Sequence, residues 1–171
     1  NLDYLFTGDL SSAEQAADVM GRLGNLALVE LGLSKSISSI SATLNNSQIK
    51  YYVKLATKNK ESDTCVLGTT GKYNVYASDN NYTYFILDES KWSDLVKSLN
   101  NNYNEIWKIN KQYIDNQIKL NKTIILTDNP ELQYLFGDGS KRFYQREIDY
   151  LSELGYTFSQ VDDELWKAIL E

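Results

Sequence analysis

Two different hydrophobic periods divide this chain of 171 residues. From Ser11 onward, Ala16, Ala17, Val19, Met20, Leu23, Leu26, Ala27, Val29 and Leu31 recur at helical spacing. They cover most of the helix circumference, so the segment predicts a helix buried against a neighbour. Ser11 and Glu14 have the spacing of a capping box. Gly21 and Gly24 each weaken that helix by about 1 kcal/mol relative to alanine, and would let a neighbouring helix approach closely. Gly32 is a natural stop. The run Ser34 to Ser41 then reads as a second weak helix or as a linker.

Farther on, the pattern switches repeatedly between strand and helix. Ile49 to Leu55 is a strand candidate by β-propensity, Thr64 to Leu67 a short buried strand ending at Gly68, and Tyr82 to Leu87 another; Thr123 to Thr127 is the clearest. Ser90 to Leu99 and Asn104 to Leu120 predict helices. In the second of these, Ile106, Ile109, Tyr113, Ile114 and Gln117 line one side. A helix follows from Lys141 to Leu154 and stops at Gly155. Tyr156 to Val161 and Leu165 to Ile169 end the chain as two strands, or as a strand and a helical turn. This alternation predicts an α/β or α+β domain with a mixed sheet of about four to six strands flanked by helices. The expected division is a helical segment over residues 1–45 and an α/β domain over 46–171.

Composition narrows the chemistry. Seventeen Lys and Arg against twenty-three Asp and Glu give a net charge of −6. That balance disfavours a non-specific DNA binder, which needs surplus cations to neutralise phosphates. A local basic patch for one RNA, or a small-molecule site, stays compatible with it. The chain has no histidine, which removes the commonest general base and every Ser-His or Cys-His arrangement. Cys65, the single cysteine, lies in a buried strand pattern and reads as a core residue. The lack of disulfides suits a reducing compartment. No apolar run is long enough to span a bilayer. The opening Asn-Leu-Asp is neither a methionine start nor a signal peptide, so the chain reads as a fragment of a longer protein.

Four short stretches hold candidate chemistry. Gly68-Thr69-Thr70-Gly71-Lys72 has two residues between its glycines, not the four of a Walker loop. It reads as a strand-to-helix turn, or as a turn whose amides meet an anion. Asp88-Glu89-Ser90-Lys91 contains an acidic-x-lysine element used by metal-dependent nucleases, yet also makes a good helix start. Thr127-Asp128-Asn129-Pro130 gathers polar groups at a strand's C-terminal edge, where open α/β sheets bind ligands; alternatively it is a turn in which Asp128 or Asn129 bonds its own backbone. In Lys141 to Glu147, Arg142 and Arg146 share a helix face suited to a phosphate or carboxylate. Glu147 is a candidate base or a salt partner.

The order of Ser62-Asp63-Thr64-Cys65-Val66-Leu67-Gly68, Tyr76-Ala77, Tyr84-Phe85, Ile106-Trp107-Lys108-Ile109-Asn110, Tyr113 to Ile118, Thr127-Asp128-Asn129-Pro130, Phe143 to Ile148 and Leu154 to Phe158 resembles a known family. It is similar to the C-terminal toxin domains of bacterial polymorphic toxins of the contact-dependent inhibition and Rhs types. The likeness covers about two thirds of the chain, from Ser62 onward. Such domains often carry Ser where Thr127 stands and His where Asp128 or Asn129 stands. The resemblance implies a toxin exported on a larger surface or secreted protein and acting in the cytoplasm of a target bacterium. It also implies a cognate immunity protein as partner, a monomer, no cofactor or metal, and an entry role for the N-terminal segment, which could meet a membrane receptor.

For the reaction, the resemblance implies first a ribonuclease, with tRNA as substrate. Glu147 or Asp128, beside Thr127, would serve as base, and Arg142, Arg146 or Lys72 would stabilise the phosphorane charge. Tyr73 or Tyr144 would stack on a base. The alternative is an NAD(P) glycohydrolase or other nucleotide-consuming toxin. There Glu147 or Asp128 would stabilise a ribosyl cation and Trp107 would stack on nicotinamide. Asn110 is a substrate-binding candidate under either reaction. A non-enzymatic binding module is the third reading.

Overall fold

A computed structural model describes residues 42–170. The expected helix after Ser11 and the Ser34 to Ser41 segment lie outside the described residues. Within them the fold is mixed α/β, with five helices and two sheets, one of two strands and one of four.

The first helix, α1 (Asn46–Ala56), corrects the strand that β-propensity predicts for Ile49 to Leu55. The β-propensity of Tyr51-Tyr52-Val53 loses to two stronger signals. Asn45 and Gln48 form a reciprocal capping box, each side chain accepting the other's backbone N–H at 2.9 Å. Ile49, Tyr52, Val53 and Ala56 then fall on one face, which packs on a later helix. Propensity is a weak prior and packing overrides it.

Strand β1 (Thr57–Lys58) pairs antiparallel with β3 (Tyr84–Phe85) in the small sheet. Between them come β2 (Thr64–Leu67) and helix α2 (Tyr73–Asp79). Helices α3 (Glu89–Ser98) and α4 (Tyr103–Lys119) follow, then β4 (Thr123–Leu126), helix α5 (Phe143–Glu153), and a final hairpin, β5 (Tyr156–Asp162) and β6 (Leu165–Leu170). Asparagine supplies the turns: Asn81, Asn100 and Asn121 follow α2, α3 and α4 at φ of 55°, 51° and 54°. The left-handed conformation at these helix ends tolerates Asn better than other non-glycine residues. The closing hairpin decides between the two readings of the C-terminus in favour of two strands.

The four-stranded sheet has the order β2-β4-β6-β5. Only β2 and β4 are parallel, in the register Thr64 to Thr123 through Leu67 to Leu126. β6 joins β4 antiparallel and β5 joins β6 the same way. The stripe expected on α4 is buried, with Ile106, Ile109, Tyr113, Ile114 and Gln117 facing inward beside Asn110. Together with Cys65, Leu67, Leu95, Ile124, Leu126, Tyr144, Ile148 and Leu151 it makes one core. Cys65 is 1 % exposed, and burial pushes its thiol up to about 12. Such a thiol is inert at neutral pH.

The C-terminal ends of β2 and β4 lie side by side, so Gly68 meets Thr127 and Asp128.

Candidate functional site

Where the two parallel strands end, crowding by neighbouring side chains requires a glycine. A Cβ built on Gly68 would stand 2.1 Å from Thr127 Oγ1, 2.7 Å from an Asp128 carboxylate oxygen and 3.0 Å from Tyr73 Cβ. The close approach lets Asp128 cross to the turn after β2. Its carboxylate accepts the backbone N–H of Thr69 at 2.8 Å and the Thr69 hydroxyl at 3.0 Å, with the Thr127 hydroxyl at 3.1 Å. Asp128 is thus a strut between strands whose lone pairs are engaged. Its neighbour Asn129 makes the local turn, accepting the Glu131 N–H at 2.9 Å. Asp128→Asn would replace one acceptor oxygen by a donor. We expect it to destabilise the domain by about 1.5–3 kcal/mol, the range for hydrogen bonds to a charged group, read as a lowered urea midpoint.

Beside this strut lies a cavity of about 100 Å³, lined by Leu67, Gly68, Thr70, Tyr73, Phe85, Trp92, Ile106, Asn110, Phe143 and Glu147. Six elements and the turn after β2 build it. Glu147 comes from α5 and Asn110 from α4, and the Asn110 amide donates to Glu147 Oε1 at 2.6 Å across 37 residues of sequence. Tyr73, at the start of α2, is fixed by donating its hydroxyl to the Phe85 carbonyl. Burial pushes that phenol well above its ordinary range, so it stays protonated. Trp92 stands on α3 and meets Phe143 edge to face, centroids 5.9 Å apart.

The electrostatics of Glu147 set it apart. The residue is 7 % exposed, and desolvation raises its carboxyl from 4.5 to about 8, with the Asn110 amide pulling weakly the other way. No cation adds to that opposing pull. Buried carboxylates are normally paired with a cation or held by several donors. Here Glu147 Oε2 and Asn110 Oδ1 have no hydrogen-bond partner among the described residues, and both residues line the same cavity. Unsatisfied buried polar atoms beside an aromatic pocket, with a perturbed titration, mark a site built for a ligand.

The other residues singled out from sequence are dispersed. Lys72 and Thr127 line a different surface groove, together with Asp162 and Asp163. Tyr144 donates to the Asp128 backbone carbonyl and packs on Tyr134, centroids 4.8 Å apart. Trp107 stacks on Phe143 at 6.4 Å and does not line the Glu147 cavity. Arg142 lies over the Phe136 ring and bonds the Leu135 carbonyl at 3.2 Å. Arg146 bonds Asn104 Oδ1 at 3.1 Å and covers the Phe143 ring. Asp88 and Glu89 open α3, the helix-start reading of that stretch.

Sequence reasoning had not assigned roles to Trp92, Phe85 or Phe143. Trp92 carried a signal, a large aromatic in the otherwise polar first turns of α3. Phe85 and Phe143 reach the cavity only through tertiary packing. Comparison with family models, curated proteins and solved structures gives no match for this chain.

Proposed function

We propose that this chain is the toxic tip of a bacterial polymorphic toxin, and that its aromatic cavity hydrolyses the ribosyl C–N bond of a nicotinamide nucleotide. One observation carries the reading: a buried carboxyl with no cation beside it among the described residues lines a pocket walled by Trp92, Phe143, Phe85 and Tyr73. A nicotinamide ring in such a nucleotide is cationic and flat. It would supply the missing counter-charge to Glu147 and stack on the aromatic walls at once.

The chemistry balances without any further reactant than water. The C1′–N bond breaks, and its electron pair stays on the ring nitrogen, which loses its positive charge. The charge moves to the ribose as an oxocarbenium-like cation beside Glu147, whose carboxylate stabilises it. Water adds its oxygen to C1′ and yields a proton to Glu147, which passes it to solvent. Asn110 positions the carboxylate, and its free Oδ1 is the acceptor available to a substrate hydroxyl or amide N–H.

The ribonuclease reading needs a cation next to the base to stabilise a phosphorane. Neither Arg142 nor Arg146 lines the Glu147 cavity, and this arrangement favours the nucleotide reading. Following NAD and tRNA together in cells that express the chain separates the two. Rapid loss of NAD with intact tRNA supports the glycohydrolase; cleaved tRNA with constant NAD overturns it.

The titration of Glu147 adds a second expected result. Free enzyme must ionise it, so kcat/KM should rise with pH through about 8 and level off above. In the complex the cationic ring pulls the carboxyl down, so the rise in kcat should lie at lower pH. Coincident profiles for kcat and kcat/KM would show that no cation binds beside Glu147.

A further inference from the structure

The cavity around Glu147 is too small for a whole nucleotide. Its volume of about 100 Å³ falls well short of the roughly 300 Å³ or more of pockets that enclose a sizeable ligand. Whatever is joined to a ring in that cavity must lie outside it. An outer groove of about 760 Å³ begins at the same place, because Trp92 and Phe143 line both spaces.

The outer groove has the chemistry of a phosphate and base subsite. Arg146 and Lys141 line it, with Asp138 as the one lining acid. Asp138 is already engaged by the Ser140 backbone N–H at 2.9 Å and by the Ser140 hydroxyl at 2.6 Å. Lys141 is tied to Asp149 at 2.7 Å. Arg146 spends a single donor on Asn104 and is braced over the Phe143 ring, which leaves most of its five N–H groups for an anion. Beside it, Tyr103 and Phe136 stand 46 % and 52 % exposed, two aromatic faces in the groove with solvent on them. Exposed aromatics of this size are suited to stacking on a planar base.

We infer that the site selects a dinucleotide: nicotinamide enters the inner cavity, the pyrophosphate lies on Arg146, and the second base stacks on Tyr103 or Phe136. This rests on the glycohydrolase reading and extends it from a bond to a substrate class. Arg146 is then a specificity residue for the length and charge of the dinucleotide, not a participant in bond cleavage. Lys141, held by Asp149, contributes charge at longer range.

The test compares hydrolysis of NAD with that of nicotinamide riboside, which has the same scissile bond and no phosphate. For the native chain, kcat/KM should favour NAD by at least a hundredfold. Arg146→Ala should lower that ratio at least tenfold, mainly through KM for NAD, and Arg146→Lys should lower it less because the charge is kept. A ratio unchanged in Arg146→Ala, with both substrates still cleaved, overturns the dinucleotide subsite and leaves the glycohydrolase standing. If the native chain cleaves neither substrate, the glycohydrolase fails and the subsite falls with it.

Discussion

Glu147→Gln should abolish nucleotide hydrolysis, by about 10³-fold or more in kcat, while making the folded chain more stable at pH 8. Both effects have one cause. The amide keeps the shape and can still accept from Asn110, but it carries no negative charge to stabilise a developing ribosyl cation. The stability effect follows from the raised pKa. In the unfolded chain the carboxyl ionises near 4.5, while in the folded chain it holds its proton up to about 8. Between those values the folded state binds more protons than the unfolded state. Stability therefore falls as pH rises through this window and is flat above it, the reverse of a salt-bridged carboxylate. At about 1.36 kcal/mol per unit, the loss across the window is on the order of several kcal/mol.

The chain suits this measurement unusually well. It contains no histidine, so ordinary carboxyl, phenol and lysine groups are nearly silent between pH 5 and 8. Urea unfolding at intervals across that range should show native stability declining with pH, and Glu147→Gln holding nearly constant. A native chain whose stability is flat from pH 5 to 8 would show that Glu147 is ionised throughout, and would remove the uncompensated carboxylate from the account.

Gly68→Ala should be the most damaging small substitution in the domain. The new methyl group would overlap Thr127, itself 1 % exposed, and the Asp128 carboxylate that clamps the turn after β2. Overpacking of a tight site costs about 1–3 kcal/mol, and the displaced strut adds the loss of its charged hydrogen bonds. We expect Tm to fall by about 10 °C or more. Activity should fall as well, since Gly68 lines the Glu147 cavity. Gly137→Ala is the matched control, because a Cβ there meets nothing within 4 Å. Equal Tm values for the two variants would mean that the strands do not approach as closely as described.

How far the sequence carried can be seen residue by residue. The buried stripe of α4, the strands around Cys65 and Ile124, and the stop at Gly155 were legible because each depends on local periodicity or turn chemistry. Helix α1 was not, since β-branched and aromatic residues outweighed a capping pair three residues apart. Glu147 stood out as a carboxylate near two arginines, but its environment is the opposite of that reading. The arginines bond elsewhere, and its partner Asn110 arrives from another helix. Asp128 looked equally able to act as a base. Its oxygens are engaged by Thr69, 59 residues earlier, a pairing that only the parallel register of β2 and β4 creates. Local patterns reveal elements; which carboxylate is left without a counter-charge is decided by tertiary contacts.

The most direct test is to incubate the purified chain with NAD in ¹⁸O-water and follow the products by NMR and mass spectrometry. A glycohydrolase yields equal amounts of free nicotinamide and ADP-ribose, one ¹⁸O at the ribose C1′, and no products with Glu147→Gln. Intact NAD in the presence of a chain that still arrests cells would contradict the glycohydrolase reading.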